Sequence, residues 1–79
     1  MPRLYLNIFN EAAIIDEEGV DHPSFDMAKA EAIAGARHFV ATSVLAGEPI
    51  YESHRIEIVD EAGTLLDTVC FRDVVDLRP

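Results

Sequence analysis

The stretch that decides the fold is Ser24–Gly47, SFDMAKAEAIAGARHFVATSVLAG. Ser24 is placed to cap a helix, because its hydroxyl can accept from a free backbone N–H of the first turn. Pro23 holds the chain extended just before it, and Asp26 in the first turn suits the positive end of the helix dipole. Gly47, followed by Glu48 and Pro49, is a stop. At 100° per residue Phe25, Ala28, Ala32, Ile33, Ala36, Phe39, Val40 and Val44 share one broad stripe. That stripe is predicted to face a sheet, with the alanines allowing close approach and Phe25, Ile33, Phe39 and Val40 supplying bulk.

The other side of this helix is thin in charge. Glu31, Gly35, His38 and Thr42 form a narrow polar strip. Beside it lie Met27, Ala30, Ala34, Ala41 and Leu45, small or apolar residues where a solvated flank normally carries charge. Either the C-terminal tail or a partner is expected to cover them.

Working outward, Arg3 to Phe9 alternates Leu4, Leu6 and Ile8 with Tyr5, Asn7 and Phe9, the period of a strand. Asn10 and Glu11 make a tight turn, and Ala12 to Asp16 reads as a short second strand supported by Ile14 and Ile15. Glu52 to Asp60 is a third strand, with Ile56 and Ile58 on one face. Asp60 to Gly63 forms a hairpin loop in which Gly63 supplies a left-handed position. Thr64 to Phe71 is a fourth strand with Leu65, Val69 and Phe71 on one face, interrupted by Asp67. The tail from Arg72 carries Val74, Val75 and Leu77 as a helical turn or extended cover.

The pattern β-β-α-β-β predicts one α+β domain over residues 1–79, a two-layer sandwich with the helix on one face of an antiparallel sheet. If every neighbouring pair is antiparallel, the strand order is 2-1-3-4. The far sheet face then shows Tyr5, Asn7, Phe9 and Val59. The candidate interface is therefore Tyr5 and Phe9 together with Met27, Ala34, Ala41 and Leu45, and a homodimer is the expected partner.

Composition narrows the classes. The chain has 79 residues, 49% of them apolar, too apolar for a disordered segment. The formal net charge of −9 is uneven. Residues 1–26 set six acids against Arg3, residues 27–47 set Lys29 and Arg37 against Glu31, and residues 48–79 set eight acids against Arg55, Arg72 and Arg78. Only residues 27–47 are net positive. Such a surface repels phosphate, so direct nucleic-acid binding is not expected. No run approaches the ~20 apolar residues of a membrane helix. The opening MPRLYLNIFNEAAIIDEE shows no signal-peptide cleavage pattern, and Cys70 is the lone cysteine, so a cytoplasmic protein without a disulfide is expected.

The segment IDEEGVDHPSFD (15–26) invites a metal reading, but an EF-hand frame starting at Asp16 puts glycine fourth and Met27 twelfth, so it fails. The stretch reads as a solvated turn around Gly19 that launches the helix. His22, His38 and His54 are scattered, without HxxxH or HExxH spacing, and each is expected on the surface or hydrogen-bonded. Cys70 reads as a small packing residue. No catalytic, cofactor or metal residue is assigned.

In combination, the MPR-aromatic start, the DEEG turn before an alanine-rich helix, and the DE-x-G hairpin leading to Phe71-Arg72-Asp73 resemble a family of short bacterial proteins described only as a domain of unknown function. The resemblance covers most of the chain and departs at Asn10, Asp67 and Cys70, where Asp-Gly, Leu and Pro are commoner. It implies the α+β fold and a bacterial origin, and carries over no catalytic residue. Function is thus read as a non-enzymatic protein working through protein contacts. The alternatives are a regulatory module, antitoxin-like or an acidic mimic of nucleic acid, occupying a basic partner, and a metal- or ligand-binding enzyme using His22, His38, His54 and Cys70.

Overall fold

The computed structural model describes residues 3–79; Met1 and Pro2, part of the MPR-aromatic start, lie outside the described residues. Five strands, one long helix and a 3-10 turn follow in the order β1 (Arg3–Phe9), β2 (Ala13–Ile14), β3 (Val20–Asp21), α1 (Phe25–Ala46), β4 (Arg55–Val59), β5 (Leu65–Cys70) and the turn Phe71–Val74. All pairings are antiparallel, and the sheet runs β2-β1-β4-β5 with β3 also on β1. The expected α+β sandwich and strand order hold.

The helix begins and ends where its caps dictate. Ser24 accepts from the Met27 amide at 3.2 Å, and Gly47 takes a left-handed φ of 70°. From that position the Gly47 amide donates to the Val44 carbonyl and the Glu48 amide to that of Ser43. Ala28, Ala32, Ala36 and Val40 are buried against Ile56, Ile58, Val69 and Phe71, with Phe25, Ile33 and Phe39 packed around them. The alanines let the helix backbone lie close to the sheet, and the isoleucines of β4 fill the space beneath. Val44 departs from the predicted stripe and is exposed, because the helix by then has passed the end of the strands.

Three other boundaries move. The third strand starts at Arg55, because Tyr51–His54 closes as a turn in which the His54 amide donates to the Tyr51 carbonyl. The fourth strand carries a bulge: Ile58 faces Asp67 while Val59 faces Leu65, so Leu66 is the extra residue and Leu65 falls on the far face. Asp67 then points toward the helix and forms an ion pair with Lys29, which is how an acid sits on the apolar face. The second strand is cut to two residues and a further one, β3, appears inside the stretch read as a solvated turn.

That break has a definite construction. Ile14 pairs with Ile8 and Val20 with Leu4, so five residues, Ile15 to Gly19, stand opposite three, Tyr5 to Asn7. Asp16 spans the gap. Its carboxylate accepts from the Leu6 amide on β1 at 3.3 Å and from the Gly19 and Glu18 amides at 3.0 and 3.2 Å. Its own amide donates to Asn7 Oδ1 at 2.9 Å. One carboxylate replaces the strand carbonyls that the excursion removed. Among the described residues no helix is long and apolar enough to cross a membrane.

Candidate functional site

The helix lies over β4, β5 and the 3-10 turn. Its outward flank is uncovered. Met27 is 56% exposed and Leu45 90% exposed, and Ala30, Ala34 and Ala41 between them are exposed too. The tail does not provide the cover: Phe71 is buried and Val74 packs against the core, while Val75 and Leu77 remain in solvent. Four of the six predicted interface residues therefore share one outward line along the back of α1, with exposed Arg37 and His38 between Ala34 and Ala41.

Tyr5 and Phe9 sit elsewhere, on the far face of β1 beside Val59 and Arg55. Both are half-buried by their own chain. The Tyr5 ring lies over Gly19, where an added Cβ would come within 2.8 Å of Cε2. Gly19, at φ 69°, thus serves both the turn and the close approach of the ring. Phe9 lies under the Arg55 guanidinium, 4.5 Å from its ring centre, and Arg55 is held in turn by Glu57 at 2.9 Å.

The strand pattern did not reveal a second apolar surface on the helix side of the sheet. Because α1 lies mainly over β4 and β5, the edge built by β2, β3 and the adjoining part of β1 stays open, although Leu4 is buried in the core. Leu6, Ile8, Ile14, Ile15 and Val20 line a groove of about 540 Å³ there. Ile14 and Val20 face the same way as Leu4 and Ile8 by register, yet are 49% and 51% exposed. Glu17 and Glu18 stand at its rim. The alternation of β1 located Leu6 and Ile8 on the helix side, but nothing in it says how far the helix reaches.

The titratable candidates separate. Asp16 is engaged in the strand break, and its pKa is lowered mainly by the Gly19 amide, with burial opposing and the Leu6 and Glu18 amides adding. Asp21 pairs at 4.0 Å with Arg3. His22, expected on the surface or hydrogen-bonded, is only 4% exposed. Its Nδ1 lies 3.5 Å from a Glu31 oxygen and its Nε2 is buried with no partner. The reason is its place between β3 and the helix cap, which folds the ring inward. His54 is also buried, accepting at Nδ1 from the Tyr51 amide at 3.5 Å and meeting Tyr51 and Phe71 edge-on. His38 is exposed on α1, and Cys70 is half-buried opposite Arg55. Among the described residues no three His, Cys, Asp or Glu side chains converge as metal ligands. Of the four residues of the enzyme alternative, His54 and Cys70 lie on adjoining segments, since Arg55 pairs with Cys70 and the Phe71 amide donates to the His54 carbonyl, while His22 sits by the start of α1 and His38 is exposed along it.

A family model described as a domain of unknown function, DUF6894, matches residues 3–72. No curated protein and no solved structure matches the chain. With the match spanning both hairpins, the helix and the start of the 3-10 turn, the chain belongs to the DUF6894 family.

Proposed function

We propose that the protein is a non-enzymatic, cytoplasmic bacterial protein that works through protein contacts and associates as a homodimer. The observation that carries this reading is the bare back of α1, where Met27, Ala34, Ala41 and Leu45 meet solvent. A helix flank thin in charge, with apolar Met27 and Leu45 exposed and bordered by Glu31, Arg37 and His38, resembles an interface core with a polar rim, and its exposure in a lone chain costs hydration free energy that association recovers. The small size of the domain adds a reason, since a 79-residue chain leaves much of its surface wet and gains stability from a partner. Sedimentation equilibrium tests the reading. A dimer is expected at roughly 100 μM, where even a micromolar dissociation constant gives nearly complete association; a monomer at that concentration overturns it.

A second reading draws on charge. With a net charge of −9 and Glu17 and Glu18 at an apolar groove, the protein is suited to occupy a basic partner protein. Recovery of a basic protein from native lysate, lost at high salt, supports that reading; recovery of none counts against it.

A further inference from the structure

The molecule has two unpartnered apolar surfaces, and they are complementary. One is convex, the alanine-lined back of α1 from Met27 to Leu45. The other is concave, the groove over β1, β2 and β3 floored by Leu6, Ile8 and Ile14. We infer that the back of α1 of one copy docks in the β1–β2 groove of a second copy, and reciprocally. This assignment rests on the homodimer reading and specifies its geometry.

Three features favour a second copy as the occupant. The first is placement. Helix and groove lie side by side on the same face of the sheet, because α1 lies mainly over β4 and β5 and leaves the edge built by β2, β3 and the adjoining part of β1 open. Two copies facing each other across a two-fold axis between their helices put each helix between its own sheet and its partner's open half. Both contacts form together and the assembly closes, which avoids an open filament. The second is charge. Residues 27–47 are the net-positive part of the chain, with Arg37 exposed near the stripe, and the groove is rimmed by Glu17 and Glu18. The third is area. The 22 residues of α1 span about 33 Å, so a stripe about 10 Å wide offers roughly 300 Å². The groove adds the half-exposed side chains of Ile14, Ile15 and Val20, and each copy contributes both surfaces, which places the contact at the small end of specific interfaces. The alanines fit this role, since small side chains let a helix back approach closely over the paired Ile8 and Ile14.

The test uses the 79-residue chain with Cys70 replaced by Ser. One copy carries Ala34→Cys and the other Ile14→Cys, both at exposed positions. After mixing and exchange, a short bismaleimide is added, and sedimentation is run in parallel. The expected result is a dimer in which the mixture cross-links efficiently, at least tenfold above either copy alone. A dimer in which Ala34→Cys cross-links to itself, or in which the mixture does not cross-link, overturns the docking geometry and leaves the homodimer intact. A monomer overturns both.

Discussion

The two halves of the sheet's helix-side face are built on different physics. Over β4 and β5 the face is sealed: Ile56, Ile58 and Val69 lie under Ala28, Ala32 and Ala36, and Phe71 closes the end, stacked on Phe39 with ring centres 5.9 Å apart. Over β1 Leu4 still joins the core and Leu6 and Ile8 pack against it, but Ile14 and Val20 of β2 and β3 are about half exposed, and the break between those two strands is ordered by the hydrogen bonds of Asp16. Apolar burial dominates one half, and at the outer edge of the other a carboxylate threaded through backbone amides joins two short paired strands. An alternating strand pattern is therefore compatible with either outcome, and the reach of the covering helix selects between them.

The contrast is tested most severely by truncating one isoleucine from each half. Ile58→Ala, fully buried under α1, is expected to cost about 2–5 kcal/mol through lost burial and the cavity left behind. Ile14→Ala in the open half should cost under about 1 kcal/mol in dilute solution. Urea denaturation measures both; equal losses would erase the distinction. If the groove takes a second copy, the Ile14→Ala penalty should grow with protein concentration.

Gly19→Ala comes next. It places a side chain at positive φ and drives its Cβ against the Tyr5 ring, whereas Gly63→Ala meets open space at its own φ of 83°. Both carry about 1–2 kcal/mol of backbone strain, so Gly19→Ala is expected to lose more, by an amount set by how far the Tyr5 ring can move. Thermal melts of the two variants read the difference. Identical melting temperatures would show that the ring yields freely.

Asp16→Asn sharpens the polar side of the comparison. An amide keeps one acceptor but loses the charge, and the Leu6 or Gly19 amide forfeits a charge-assisted bond, at a cost of about 1–3 kcal/mol. The pH dependence has a definite sign. The folded pKa of Asp16 lies below the ordinary value of 3.8, because the Gly19 amide, then those of Leu6 and Glu18, favour the carboxylate against burial. Its stabilisation is therefore complete above that ordinary value and is lost as pH falls through the lowered folded pKa. Wild type should lose more stability on acidification below about pH 4 than Asp16→Asn, and parallel acid titrations by circular dichroism would refute this.

The smallest effect belongs to the polar contact within the sealed half. Lys29→Met removes the partner of Asp67, whose pKa is held down first by the Lys29 hydrogen bond and then by the Thr68 amide. The pair is about one-third exposed on each side, so a loss of roughly 0.5 kcal/mol is expected at neutral pH and moderate salt. A loss above that of Asp16→Asn would place the important polar link in the wrong half.

The sequence carried a good share of this. Ser24 and Gly47 announced the helix ends because capping is local chemistry, decided by one hydroxyl and one left-handed φ. The alternation of Leu4, Leu6 and Ile8 announced β1 in the same way, and the antiparallel order followed from the direction in which the helix returns the chain. The acids of 15–26 looked like turn solvation. Asp16 among them has a structural task that the sequence did not show, because its role needs Leu6, ten positions away in the chain, to come within hydrogen-bond reach. Of the two places expected for His22, the surface is excluded for the same reason: its burial beside Glu31 depends on where β3 delivers the ring. The apolar back of α1 was legible as Met27, Ala34, Ala41 and Leu45, but its matching groove was not.

By itself, then, the chain's order of residues determined what short-range forces govern: where the helix starts and stops, which strand positions are apolar, and the antiparallel sheet they form. Only the tertiary structure decided which of those apolar positions are dry. Burial depends on the lateral position of α1 above the sheet, and that position is set by packing of Ala28, Ala32 and Ala36 on Ile56 and Ile58, residues far apart in the chain. The same placement leaves Ile14 and Val20 at the edge of the sheet with nothing above them.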